Sequence, residues 1–438
     1  MLEDSSNQTH FGIKARWIYT ANDHQELLHN HTVFIKNGLI DEIAPSELNN
    51  QANIIDLGES ILTPGLINMH THSAMTFLKG IADDQKLTDW LEQSIWPNEA
   101  KFLNHDLVFE ASQLACLEMI SSGVTTFNDM YFFPEATAKA AIKIGLRANI
   151  GLVFIDFKTN YASDFTDYFD KGFAFRDHFR DESLISTSLA PHAPYTVSDE
   201  SFKKIRTYAD QLGLNIHCHL HETEWEINEG LKKFGIRPID RLHRLGILGP
   251  DFMGVHCVHL NESDLRLIES NQVNIISCPS SNLKLASGIP PINSMIDKAK
   301  FVSIGTDGSA SNNKLSVLDD LRLFSLLQRN DGNEHEFLKS EDLMDMVTID
   351  AAKSLDLDST IGSIEVGKKA DIVAFDLSNI FTQPVYDPLS SLIYSGSRDN
   401  VQHVWVEGQL KFKNKQLVNL DDAESAIEKV KLWQNKIQ

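Results

Sequence analysis

Residues 65–80 read GLINMHTHSAMTFLKG. An apolar run from Gly65 to Met69 ends abruptly in His70-Thr71-His72, two imidazoles one residue apart at the exit of what reads as a buried strand. Alternate residues of a strand share a face, so His70 and His72 point the same way. Alone, such a pair is weak evidence for a metal. Its weight depends on what the chain places at the ends of its other strands.

Seven further apolar runs follow, at 124–130, 147–153, 184–191, 215–222, 253–260, 274–280 and 301–307, with helical segments between them. Short apolar strands alternating with helices are the mark of βα units on a parallel sheet. Eight of them over roughly 300 residues predict an α/β fold of the (β/α)8 TIM-type barrel. The two ends of the chain differ from this middle. HTVFIKNGLIDEIAP (31–45) places Asn37-Gly38 between two β-prone runs, a type I′ hairpin signal. GSIEVGKKADIVAFDL (362–377) and VQHVWVEGQLKFKNKQ (401–416) are short strands broken by Gly turns, and Ala423, Ala426, Ile427, Val430 and Trp433 repeat at helical spacing. The expected organisation is a barrel over 61–361 and a small composite β-sandwich from both termini, 1–60 and 362–438, with a C-terminal helix.

In such barrels the functional groups sit at the C-terminal ends of the strands. Here the fourth run leads into His192, the fifth carries His219, His221 and Glu222, the sixth His256 and His259, and the eighth ends in Asp307. A single one of these has an ordinary explanation, a hydrogen-bonded core histidine or an Asp-Gly turn. Several histidines and a carboxylate buried unpaired at one end of one barrel would cost on the order of several kcal/mol, and a bound cation removes that cost. Imidazoles and a carboxylate without thiolate suit Zn²⁺, with Fe²⁺ as the alternative. Two other motifs fail. HETEWE has Trp225 where a zincin HExxH needs its second histidine, and the HxE…PCxxC signature of the cytidine-deaminase class is missing.

Composition limits the partners. A formal charge of −22 would be repelled by nucleic-acid phosphates and by anionic membrane surfaces, so neither is expected as a partner. The opening MLEDSSNQTH has no basic region followed by an apolar one, as a secretory leader would, and four scattered cysteines without a Cys-x-x-Cys pair suit buried thiols in a reducing compartment. A cytoplasmic location is the expectation. Assembly into a homo-oligomer is left open by the sequence.

PGLINMHTH, HLHETEWE, GVHCVHL, CPSSNLKLASGIPP and IGTDGSASNN resemble the amidohydrolase superfamily, and within it the 5′-methylthioadenosine/S-adenosylhomocysteine deaminase and chlorohydrolase-type branch. The resemblance runs from about residue 60 to 375. It implies one divalent metal ion on His70, His72, His219 and Asp307, with His256 beside the attacking water. LAPHAPY at the fourth strand lacks the bridging lysine of binuclear relatives. It also implies that Asp307 takes a proton from that water while Glu222 protonates the ring nitrogen next to the attacked carbon. In TDWLEQSIWPNE, Glu99 would bind ribose hydroxyls and Trp90 would line the pocket, while His192 would bond a purine nitrogen. The implied substrate is a small adenosine-type nucleoside. The alternative is an aminohydrolase or chlorohydrolase acting on a free base such as guanine, a pterin or an s-triazine, for which Glu99 would have no ribose to hold. Homologues that accept S-adenosylhomocysteine can present arginines from the third-strand region to its carboxylate. Here Arg147 opens that strand at the wrong end and the exit is apolar, so methylthioadenosine is the expected preference. The aromatics Phe154, Phe157, Tyr161, Phe165, Tyr168 and Phe169 that follow either pack a helix on the barrel or close over the substrate.

Overall fold

The computed structural model describes residues 10–48, 53–331 and 336–437; the opening stretch 1–9 read above lies outside the described residues. The chain begins in a sheet with β1 (His10–Tyr19), β2 (Leu27–Lys36), β3 (Leu39–Pro45), β4 (Ile54–Asp56) and β5 (Ser60–Pro64). Asn37 and Gly38 both have positive φ, 53° and 80°, the type I′ geometry that pairs Lys36 with Leu39. The barrel follows as β6 (Leu66–Thr71), β7 (Val124–Met130), β8 (Arg147–Phe154), β9 (Ile185–Pro191), β10 (Ile216–Leu220), β11 (Phe252–His256), β12 (Asn274–Ser277) and β13 (Val302–Ile304). These eight hydrogen-bond in sequence order, all parallel. The chain then returns to the first sheet with β14 (Ile372–Asp376), β15 (Val401–Val406), β16 (Gln409–Lys413) and β17 (Gln416–Leu417). β14 pairs antiparallel with β5, which joins the two ends of the chain into one mixed sheet of nine strands.

Four barrel strands stop two or more residues earlier than their apolar runs predict, β12 at Ser277 among them. β10 ends at Leu220, β11 at His256 and β13 at Ile304. His221, His256, Cys257 and Asp307 take left-handed backbone, with φ of 53°, 72°, 48° and 60°, which ends the pleat. Such conformations in residues other than glycine concentrate where a chain must aim a side chain. The barrel closes between its first and last strands: the amides of Thr306 and Asp307 donate to the carbonyl of His70, at 3.1 and 2.9 Å, and that of Thr306 also to Oδ1 of Asn68.

Arg147 does sit at the far end of its strand. Its guanidinium donates to the buried Asp371, just before β14, and to Glu407, so the charge ties barrel to sheet rather than facing a ligand. Most of the aromatic segment is packing. Phe165, Phe169 and Phe173 on the helix Phe165–Phe179 pack at tilted or edge-on angles with Phe154 and Tyr208. The C-terminal helix Leu420–Ile437 lies on the barrel helix His105–Ser121, where Trp433 Nε1 donates to Glu110. All four cysteines are free and buried. No helix among the described residues is long and apolar enough to cross a membrane.

The seam leaves no room for a side chain at Gly305. A Cβ there would stand 2.7 Å from the backbone nitrogen of His70 and 2.8 Å from its Cβ. Gly305→Ala is expected to cost about 1–3 kcal/mol, the range for an overpacked core. Urea unfolding checks it, and a variant as stable as the parent would show that the seam yields freely.

Candidate active site

His70 lies on β6, fully buried, and His72 one residue past its end. His219 is the penultimate residue of β10, and Asp307 follows β13 after a short turn. Their reactive atoms converge. Nε2 of His70 and Nε2 of His72 each stand 3.2 Å from Oδ1 of Asp307, and Nε2 of His219 is 3.2 Å from Nε2 of His70. Oδ2 of Asp307 accepts from Ser281 and Ser311, both at 2.7 Å, whereas the buried Oδ1 has no hydrogen-bond partner.

The far ring nitrogens explain the orientation. Nδ1 of His72 donates to the carbonyl of Met130, and Nδ1 of His219 to that of His192 at 2.8 Å. Both rings therefore turn Nε2 inward, the nitrogen a metal would take. Nδ1 of His70 meets Nε2 of His217 at 3.0 Å. Donor atoms around a tetrahedral ion at 2.0–2.1 Å are about 3.3 Å apart, close to the separations seen here. An orphaned buried carboxylate oxygen amid inward lone pairs fits a divalent cation.

Around this cluster opens a cavity of about 690 Å³. Glu222, His256, His192, Glu99 and Trp90 all line it. Nε2 of His256 is 3.8 Å from Glu222, and its Nδ1 is held by Oδ1 of Asn282 at 2.8 Å. His192 is anchored through Nδ1 to Thr196, and Trp90, itself buried, donates to the carbonyl of Ile81. Glu99, on the helix Trp96–Phe102, accepts from the hydroxyl of Tyr131 at 2.5 Å. Asn160 caps that helix from the loop after β8, donating to the carbonyls of Glu99, Ala100 and Leu103.

Two histidines singled out in the sequence are not part of the cluster. The strand breaks before His221, whose Nε2 accepts from the amide of Ile239 with Asp264 3.6 Å from its Nδ1. His259 is turned to the carbonyl of Ser287. Of the six aromatics at 154–169, only Phe157 lines the cavity. Sequence reading passed over His217, Tyr131 and Asn160. His217-Cys218-His219 repeats the spacing of His70-Thr71-His72, a signal that could have found the first of them.

Residues 61–411 match the amidohydrolase family. The chain belongs to that family. Its members are metal-dependent. A 5-methylthioadenosine/S-adenosylhomocysteine deaminase of Saccharophagus degradans is 40% identical over 430 residues, 97% of this chain and 96% of the relative. A 5′-deoxyadenosine deaminase of Methanosarcina acetivorans is 37% identical over 96% of each chain. The crystal structure of an adenosine deaminase from Xanthomonas campestris, with zinc bound, superposes with a TM-score of 0.94 at 37% identity over 98% of both chains.

Burial governs the electrostatics of this amidohydrolase site. It lowers His70 to about 4 and His192 to about 3, so the rings are neutral. Burial would raise Asp307, but the imidazoles of His70 and His72 outweigh it and hold the carboxyl well below its usual range. Glu222 is raised by burial, which His256 opposes. Glu99 is raised to about 7, again by burial, against the Tyr131 hydrogen bond.

A raised carboxyl keeps its proton in the folded state after the unfolded chain has lost it. The contribution of Glu99 to stability is thus complete below about pH 4.5 and is lost as pH rises through about 7. It amounts to up to about 3 kcal/mol before solvent screening of this half-buried group. In chelator-treated protein, Glu99→Gln is expected to gain in Tm over the parent as pH goes from about 5 to about 8. A constant difference between the two melting curves would refute this.

Proposed function

We propose that this amidohydrolase is a hydrolytic deaminase of adenosine-type nucleosides, with 5′-methylthioadenosine its preferred substrate, giving the inosine analogue and ammonia. The observation that carries the reading is one cavity holding the His–Asp cluster, Glu222 beside it, and a separate, proton-retaining carboxyl, Glu99, in its wall. The relatives whose names carry adenosine-type substrates support it. His70, His72, His219 and Asp307 would hold a single ion, Zn²⁺ or Fe²⁺. When bound, such an ion supplies Lewis acidity and brings the pKa of water from 15.7 to about 7.

The protein's own groups handle the protons. Asp307, which would also hold the ion, is the base for the attacking water. Glu222, its carboxyl raised by burial, is the acid that delivers a proton to the ring nitrogen beside the attacked carbon. With Nδ1 fixed on Asn282, His256 offers Nε2 to the oxygen that adds. The proton taken by Asp307 passes to the exocyclic amine and the added hydroxyl returns its own proton to Glu222, so the carbon–nitrogen bond breaks, the carbonyl forms and ammonia leaves. His192 receives a purine nitrogen, Glu99 accepts from ribose hydroxyls, and Trp90 forms the apolar wall.

Substrate choice follows from the exit of β8, where Val153, Ile155 and Phe157 line the cavity. The only lysine or arginine among the described lining residues is the exposed Lys158, a single ammonium rather than a bidentate guanidinium. An apolar methylthio group therefore suits this end better than the charged tail of S-adenosylhomocysteine.

Zinc-loaded protein offered 5′-methylthioadenosine, S-adenosylhomocysteine, adenosine and guanine is expected to release ammonia from the first with the lowest KM. An equal or lower KM for S-adenosylhomocysteine would overturn the preference. Turnover of guanine alone would move the substrate to the free bases. Glu99→Ala should raise KM for the nucleosides about 10-fold, roughly 1.4 kcal/mol of lost binding. His217→Ala, which leaves Nδ1 of His70 without its partner, should weaken zinc affinity about 10–100-fold in a competition titration. Unchanged affinity would make His217 a packing residue only.

A further inference from the structure

We infer that Glu226, one helical turn beyond Glu222, is a positioning residue that fixes the backbone of the proton carrier. This rests on the role proposed for Glu222. Thr223-Glu224-Trp225-Glu226 reads as a capping box, and Thr223 does cap the helix Glu224–Phe234 by accepting from the amide of Glu226. In a capping box the fourth residue returns to the amide of the first. Glu226 instead reaches past it. Its Oε1 accepts from the amide of His221 at 2.9 Å, and its Oε2 from the amide of Glu222 at 3.0 Å.

These are the two residues where the chain leaves β10. His221 is left-handed, with φ of 53°, and no barrel strand holds its amide or that of Glu222. One carboxyl group thus spans both amides of an otherwise irregular step. The Glu222 side chain that this step aims is only 10% exposed and stands 3.8 Å from His256. Glu226 itself is only 2% exposed, lines the wall of the cavity, and has no ion-pair partner among the described residues within 4.0 Å. Burial pushes it up to about 8, against the two amide bonds. A serine or asparagine could cap the helix. Only a side chain starting one turn inside it can hold both amides upstream of the cap.

The test is a double-mutant cycle of Glu226→Gln and Glu222→Gln, read with hydrogen exchange. Glutamine keeps the length and one acceptor oxygen but sets an NH₂ against the second amide. Glu226→Gln alone is expected to lower kcat at least 10-fold with KM within about threefold. Bound metal should match the parent, and exchange at the amides of 221 and 222 should be faster. In the Glu222→Gln background the same change should cost less than about twofold, because a residue acting through Glu222 has nothing left to position. Equal losses in both backgrounds, or an unchanged kcat, would overturn the inference. If the parent hydrolysed a free base and no nucleoside, the substrate reading would fall. The same cycle on that base would still decide Glu226, since protonation of the ring is common to both reactions.

Discussion

Two backbone hydrogen bonds, from the amides of Thr306 and Asp307 to the carbonyl of His70, close the barrel at the point where its acid meets its first imidazole. Fold and site are therefore the same constraint. Closure puts residues 237 positions apart in sequence onto adjoining strands, and the turn at Asp307 then aims its carboxylate across the seam at His70 and His72. Gly305 permits the approach because it has no side chain to hold the strands apart. A barrel that failed to close here would lose the donor cluster as a unit, whatever its remaining strands did.

The second level of organisation lies behind the donors. Each of the three rings has its outer nitrogen engaged, by a strand-end carbonyl for His72 and His219 and by another imidazole for His70. Asp307 is held by two serine hydroxyls on one oxygen only. This leaves the inner atoms fixed but unsatisfied, an arrangement that is costly in a buried site unless something charged occupies the centre. The low pKa values of His70 and His192 have the same origin: desolvation keeps the rings neutral and their lone pairs free.

Much of this was legible in the sequence, for a physical reason. Strands buried on both faces must be nearly continuous apolar runs, so eight of them could be counted, and a polar residue ending such a run has little reason to be there except chemistry. His70, His72, His219, Glu222 and Asp307 stood out on that ground. What could not be read was where each strand stops. His221 alternates correctly with His219, yet a left-handed φ sends it to Ile239 and Asp264 instead. Partners that depend on one loop meeting another were equally hidden. Tyr131 and Asn160 reach Glu99 and its helix from the ends of β7 and β8, contacts that no spacing within the chain encodes.

Glu99, Glu222 and Glu226 show how one residue type takes three parts in one wall. Burial raises all three carboxyls, so burial does not distinguish them. Their partners do. Glu226 spends both oxygens on backbone amides and has none left for a ligand. Glu99 shares one oxygen with a tyrosine hydroxyl, which leaves the other to accept from a substrate donor. Glu222 makes only a long contact of 3.5 Å to Ser287 and faces His256. Of the three it is the least restrained by hydrogen bonds at its tip, while its amide is held by Glu226. That combination suits a group that must exchange protons with a passing ligand while its main chain stays in place.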